Sequence, residues 1–167
     1  MNALPAIPWV QELRAVLGLH EVRDRAALSA WLRSDGKTLG DPSKLPWCGD
    51  AADTAMARAL PAEPRPGALG QNPYWARNWN LLGVSCLPAF GCVGVFVRDG
   101  GGHVGFIVGE DATHYHVLGG NQGDTVSVVR IDKKRCIGTR WPSTSKDRRA
   151  PLPRMSPKAA GVSTNEA

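Results

Sequence analysis

The chain has no cysteines at close spacing, no long apolar run and no leader pattern, and each absence narrows what it can be. Cys48, Cys86, Cys92 and Cys136 show no C-x-x-C pairing, and His114 and His116 are the only close histidines. Neither a redox dithiol nor a structural zinc site is indicated, and no metal or cofactor is expected. No stretch nears the ~18 consecutive apolar residues of a membrane-spanning helix, so no membrane insertion is expected. The opening MNALPAIPWVQELRAVLG lacks a basic run, an apolar core and a small-residue cleavage site. Synthesis in the cytoplasm without a signal peptide, with the cysteines reduced, is therefore expected. No internal repeat is visible.

Acidic residues are outnumbered, giving a formal charge of +5, but the excess is unevenly placed. From Pro142 onward Lys146, Arg148, Arg149, Arg154 and Lys158 face only Asp147 and Glu166, so +3 of the +5 lies there. A nearly neutral body argues against nucleic acid as partner. The basic tail suits either adhesion to an anionic polymer or simple solvation.

What is present suffices for one domain: 167 residues, 43% of them hydrophobic, can bury roughly 70% of the unfolded surface without disulfides. Trp9, Val10, Leu13, Val16 and Leu17 form one stripe from Pro8 to the stop at Gly18, which predicts a helix. Asp24 is a good N-cap for a second, with Ala27, Leu28, Trp31 and Leu32 on its apolar face. A third opens at Cys48, where positions 48, 51, 52, 55, 56, 59 and 60 are small or apolar at helical spacing. AEPRPGALGQNPYWARNWN reads as a long irregular loop with a short helix near Tyr74 to Trp79. The period then becomes two: CVGVFV, HVGFIV, HYHVLG, TVSVVRI and CIGTRW are strand-like runs separated by turn residues. The expectation is an α+β domain over residues 1–141, helices on an antiparallel sheet of about five strands, followed by a Pro-rich, basic, disordered tail over 142–167.

The residue that raises a chemical question is Cys48, in KLPWCGD. Free cysteine is a common core residue, and Cys48 lies in register with the apolar stripe. It also sits on the first turn of a helix, where unpaired N–H groups and the macrodipole favour thiolate. A nucleophile needs a base and a group to orient it. His103 opens a strand after DGGG, where its ring can stand over the sheet end. His114 and His116 share one strand face, and His20 follows a helix stop. The hairpin through GEDAT returns LGGNQGD to the end of the sheet where His103 lies, so Asn121 or Gln122 is placed to meet the ring. The alternative is that GGNQGD is only a turn. Asp50 would disfavour the thiolate if aimed at the sulfur, or would only satisfy helix-start N–H groups if turned away.

PWCGD, GGHVGFIVGED and YHVLGGNQGDTVSVVRI together resemble NlpC-type and CHAP-type cysteine peptidoglycan hydrolases, in particular a small phage- and prophage-associated branch. The resemblance runs from about Pro8 to Trp141. It implies a papain-like fold with Cys48 as nucleophile, His103 as base and Asn121 as orienting residue, Gln122 being the alternative third member. It further implies cleavage of stem peptides or of the amide bond to the glycan, without a cofactor. Trp47, Asp50, Tyr74, Trp75 and Arg77 are candidate substrate contacts, the competing reading being that Trp75 and Trp79 only anchor the long loop. The expected partner is peptidoglycan, reached by a monomer through a holin-dependent route or as part of a virion with phage tail proteins. A wall-binding or virion module without catalysis, and an intracellular effector peptidase or acyltransferase on the same fold, are the competing readings.

Overall fold

The computed structural model describes residues 3–166. The α+β expectation holds: N-terminal helices pack against an open, wholly antiparallel sheet. The helices are α1 (Pro8–Arg14), α2 (Arg25–Leu32), α3 (Cys48–Ala59) and the single turn α4 (Ala68–Gln71), followed by a 3-10 helix at Ala76–Leu81. The strands are β1 (Val84–Ser85), β2 (Val93–Arg98), β3 (Gly101–Glu110), β4 (His114–Gln122), β5 (Thr125–Asp132) and β6 (Cys136–Trp141), in the order β1-β6-β2-β3-β4-β5. All five expected strands are present, and the sixth, β1, is a two-residue edge too short to leave a periodic signal. β2 to β5 form a meander, whereas β6 returns to the free side of β2.

Burial of large side chains fixes how the helices sit. Trp9, Val10 and Leu13 turn the apolar stripe of α1 inward. Trp9 donates its indole N–H to Gly91 O at 2.7 Å and meets Trp141 edge-on with centroids 5.2 Å apart. Such aromatic pairs contribute about 0.5–1.5 kcal/mol beyond area burial. α1 ends at Arg14 instead of reaching Leu17, which is exposed. The chain tightens into turns there, and Gly18, with φ 90°, donates its N–H to Val126 O. Asp24 precedes α2 as expected, but its carboxylate accepts from His20 N–H and not from the helix.

α3 lies at the centre, with every residue from Cys48 to Met56 buried. Its small side chains permit close approach of other backbone. A Cβ on Gly49 would stand 2.5 Å from Pro73 O, and one on Gly120 would meet the Trp47 ring at 2.6 Å and the Ala51 Cβ at 2.7 Å. The start of α3 is thus wedged between the 73–74 loop and the end of β4, a placement that only glycine on both sides allows.

Residues 142–166, expected as a disordered tail, are laid over the body. Ser143 and Thr144 donate to the Glu63 carboxylate, and Ala150, itself buried, accepts from Phe90 N–H. Single parallel bridges join Arg154 to Glu110 and Val162 to Arg130 on the edge strand β5. Composition could not reveal this, because the segment gains backbone partners from strand ends that would otherwise carry unpaired N–H and C=O groups. Among the described residues no helix is long and apolar enough to cross a membrane.

Candidate active site

Trp47 holds the start of α3 in place. Its indole is buried and donates to Glu21 Oε2 at 2.7 Å, and its ring lies against Gly120 at the end of β4. The expectation that Trp47 contacts substrate is corrected accordingly: the ring is packed into the scaffold. Cys48, the next residue, is 3% exposed and opens a helix whose first turn has no side-chain cap. The N–H groups of that turn are free to act on charge at the sulfur or beside it.

His103, on β3, is fully buried and stands opposite Phe96 on β2. Its Nε2 lies 2.8 Å from Gln122 Oε1. The tautomer follows from what Gln122 does with its other end. Gln122 Nε2 donates to Val117 O at 3.1 Å and to Ser127 O at 2.7 Å, so both amide hydrogens are spent and the carbonyl must face the ring. His103 Nε2 is then the donor, which leaves a lone pair on Nδ1 in the neutral ring. Nδ1 is buried and has no hydrogen-bond partner among the described residues. The Cys48 thiol is the group nearby that can give it a proton.

The titration of the two groups is mutual. Burial pushes the Cys48 thiol up, but His103, the Val104 backbone and the Arg98 charge outweigh it, so the thiol is held below its ordinary value. Burial pushes His103 down, but the Cys48 sulfur, the Glu166 carboxylate and Gln122 outweigh it, so the imidazole is held above its ordinary value. Both shifts favour the thiolate–imidazolium pair over thiol and neutral ring. On each side the interaction with the other partner is the largest offset to burial.

Asn121 does not touch the ring, and the expectation that it orients His103 is corrected. Regular pairing continued from Phe106↔Leu118 would set Asn121 opposite His103. Asn121 instead has φ 58°, and the β4–β5 register shifts between Gly119 and Gln122. This bulge breaks the alternation of faces and hands the position to Gln122. Gly119 makes room, since a Cβ there would lie 2.5 Å from Gln122 Oε1. The Asn121 amide donates to Glu166 O.

Asp50 is buried and bonded to a segment remote in sequence. One of its oxygens, Oδ2, accepts from Thr38 Oγ1 at 2.7 Å and Leu39 N–H at 3.0 Å, which ties the 38–46 loop to α3. Burial, only partly offset by these bonds, raises its carboxyl to about 6. Arg77 is also structural, its guanidinium donating to Gly101 O from Nε at 3.3 Å and Nη2 at 3.0 Å. Arg77 is thus tied to the scaffold, whereas Asp50 Oδ1 is buried without a hydrogen-bond partner among the described residues. Tyr74 and Trp75 do border the cleft: with Pro46, Arg98 and Gly102 they line a hollow of about 40 Å³ with Cys48 at its wall. Pro46 and Arg98 also border a hollow of about 340 Å³ between Glu21, the 42–46 loop and Asn121. The two hollows share Pro46 and Arg98, and Cys48 lines the smaller one. Trp79 anchors the loop, buried and bonded to Pro73 O.

His116 lies toward the other end of β4, paired with Asp111 at 2.9 Å, and His114 contacts Thr113 Oγ1. Among the described residues no three His, Cys, Asp or Glu side chains are grouped to hold a metal ion. Sequence reasoning missed Arg98, which lines both hollows, and Glu166, whose backbone carbonyl accepts from Asn121. Arg98 ends an ordinary strand and Glu166 follows a Pro-rich segment, so neither carried a local signal.

The site is a thiol, an imidazole and an amide in series, assembled on a helix start and two neighbouring strands. Comparison with protein-family models, curated proteins and solved structures found no match to this chain.

Proposed function

We propose that the chain is a cysteine-dependent peptidoglycan hydrolase with a papain-like fold, of phage or prophage type, acting as a stem-peptide endopeptidase or amidase. The observation that carries the reaction type is the locked tautomer: Gln122 spends both amide hydrogens on Val117 O and Ser127 O, which leaves His103 Nδ1 as a buried base beside Cys48. The substrate class rests on the resemblance of PWCGD, GGHVGFIVGED and LGGNQGD to wall hydrolases.

In this reading His103 Nδ1 takes the Cys48 proton, and the thiolate attacks an amide carbonyl lying in the cleft. The Cys48 N–H, with the positive end of α3, faces the charge that develops on the carbonyl oxygen. The imidazolium returns its proton to the leaving amine as the C–N bond breaks, leaving a thioester. Water, deprotonated by the same Nδ1, then attacks the thioester and releases the acid and the thiol. Trp75, 47% exposed at the cleft rim, offers a flat apolar face to a sugar or peptide.

The test is incubation with purified peptidoglycan sacculi and mass spectrometry of the released fragments, for wild type, Cys48→Ala and His103→Ala. New amino termini within stem peptides mark an endopeptidase, and intact peptides freed from lactyl groups mark an amidase. Sacculi left intact by the wild type would refute the substrate class. Undiminished digestion by Cys48→Ala would refute the nucleophile.

A further inference from the structure

Residues 162–166 are held to the body by side-chain bonds from Arg135, Asn121 and Arg98. Arg135 grips Glu166 with two prongs, Nη2 to Oε2 at 2.7 Å and Nη1 to Oε1 at 3.0 Å, and Ser163 Oγ donates to the same Oε1. The Glu166 backbone carbonyl accepts from Asn121 Nδ2 at 3.0 Å, and Asn165 Oδ1 accepts from Arg98 Nη1 at 3.3 Å. Glu166 is 1% exposed. A buried carboxylate is costly unless paired and hydrogen-bonded, so a segment that only covered a strand edge would have no need of one here. Two of these contacts fall on residues that border the dyad: Asn121 is the left-handed residue that aims Gln122, and Arg98 acts on the sulfur.

We propose that Glu166 is a positioning residue of the dyad: anchored by Arg135, it holds Asn121 in the bulge that aims Gln122 at His103, and it brings a carboxylate to the imidazolium. The proposal rests on the thiol–imidazole reading of the site. The charged or titratable groups that act on His103 are Cys48 from α3 and Glu166 from the 162–166 segment, with Gln122 from β4 the neutral partner. Arg135 faces Glu166, and Arg98 faces the sulfur. Against the effect of burial, Glu166 joins Cys48 in raising His103, and His103 in turn helps to lower Glu166. The carboxylate therefore extends the imidazolium to higher pH.

The test is the rate of Cys48 alkylation by iodoacetate against pH, in the full chain. This reagent is an anion drawn by the imidazolium, so its rate falls on the alkaline side as His103 loses its proton. Glu166→Gln keeps the size and removes the charge; the alkaline limb moves to lower pH while the circular dichroism spectrum is unchanged. Glu166→Asp restores the limb in part, which a merely structural role would not produce. Asn121→Gly suits the positive φ but lacks the amide, and slows alkylation severalfold with Glu166 and Arg135 intact. A folded Glu166→Gln with the wild-type limb, or an Asn121→Gly with the wild-type rate, overturns the proposal. If Glu166→Gln does not fold, Asn121→Gly decides. Undigested sacculi would sink the substrate assignment and leave these profiles standing, whereas wild-type-like alkylation in His103→Ala would sink the dyad itself.

Discussion

Gln122→Ala separates the role of the amide from that of the ring. Truncation leaves His103 Nε2 without its acceptor at 2.8 Å and removes the donors to Val117 O and Ser127 O, all in a dry environment. The ring can then move its proton to Nδ1, which places a donor and not a base beside Cys48. A hydrogen bond to a charged group contributes about 1.5–3 kcal/mol. Losing about 2 kcal/mol of support for the imidazolium corresponds to roughly thirtyfold in the population of the ion pair. Stability falls too, because each buried polar group left unpaired costs about 1–3 kcal/mol. For a chain of this size a loss of 2–3 kcal/mol lowers Tm by roughly 5–10 °C. The assay is alkylation of Cys48 by iodoacetate across pH, with thermal unfolding measured alongside on the same variant. The expected result is a rate at the optimum lowered more than tenfold in a protein that is still folded at the assay temperature. A folded Gln122→Ala that alkylates within twofold of wild type across the range would refute the argument that the amide sets the tautomer. Gln122→Glu sharpens it: a carboxylate meets His103 well but sets oxygens against the Val117 and Ser127 carbonyls, so stability falls even if the imidazolium is favoured.

The other predictions concern groups around α3. Asp50, raised to about 6 from an ordinary value near 3.9, binds a proton more tightly folded than unfolded, so it weakens the fold as pH rises through that window and favours it below. Asp50→Asn is expected to stabilise at neutral pH, on the order of 1–2 kcal/mol; melting curves should show the gap to wild type closing below about pH 6 and gone near 4, and an equal gap at all pH would refute the assignment. Gly49→Ala would normally help a helix by about 1 kcal/mol, but here the new Cβ meets Pro73 O and Tyr74 O at 2.5 and 2.8 Å. The expected outcome is a lowered Tm, costing about 1–3 kcal/mol, and a raised Tm would show that the 73–74 loop yields freely. Arg98→Met removes a charge that holds the Cys48 thiol down, so the acid limb of alkylation by neutral iodoacetamide moves to higher pH; an unmoved limb would place Arg98 outside the field of the sulfur.

How much of this was legible in the sequence depends on the range of the interaction. The stripe from Cys48 and the period-two runs are local, and they located α3 and β2 to β5 to within a few residues. The pairing of His103 with the LGGNQGD turn was also readable, because a hairpin returns its chain to a known sheet end. The choice between Asn121 and Gln122 was not. Strand alternation favours Asn121, and only the left-handed backbone at that residue, with space over Gly119, reverses the answer. A bulge of this kind depends on one amide serving Val117, Ser127 and His103 at once, which no local pattern records. Asp50 gives the same lesson from the opposite side: its neighbours in sequence suggest a helix-start carboxylate beside a thiol, whereas its hydrogen-bond partners, Thr38 and Leu39, arrive from another segment. The 142–166 segment is the extreme case. Its composition is that of a chain unable to bury a core of its own, and this remains true in the fold. Its order comes from Arg135, Glu63 and the free strand ends of the body, so the cause of its structure lies outside its own sequence.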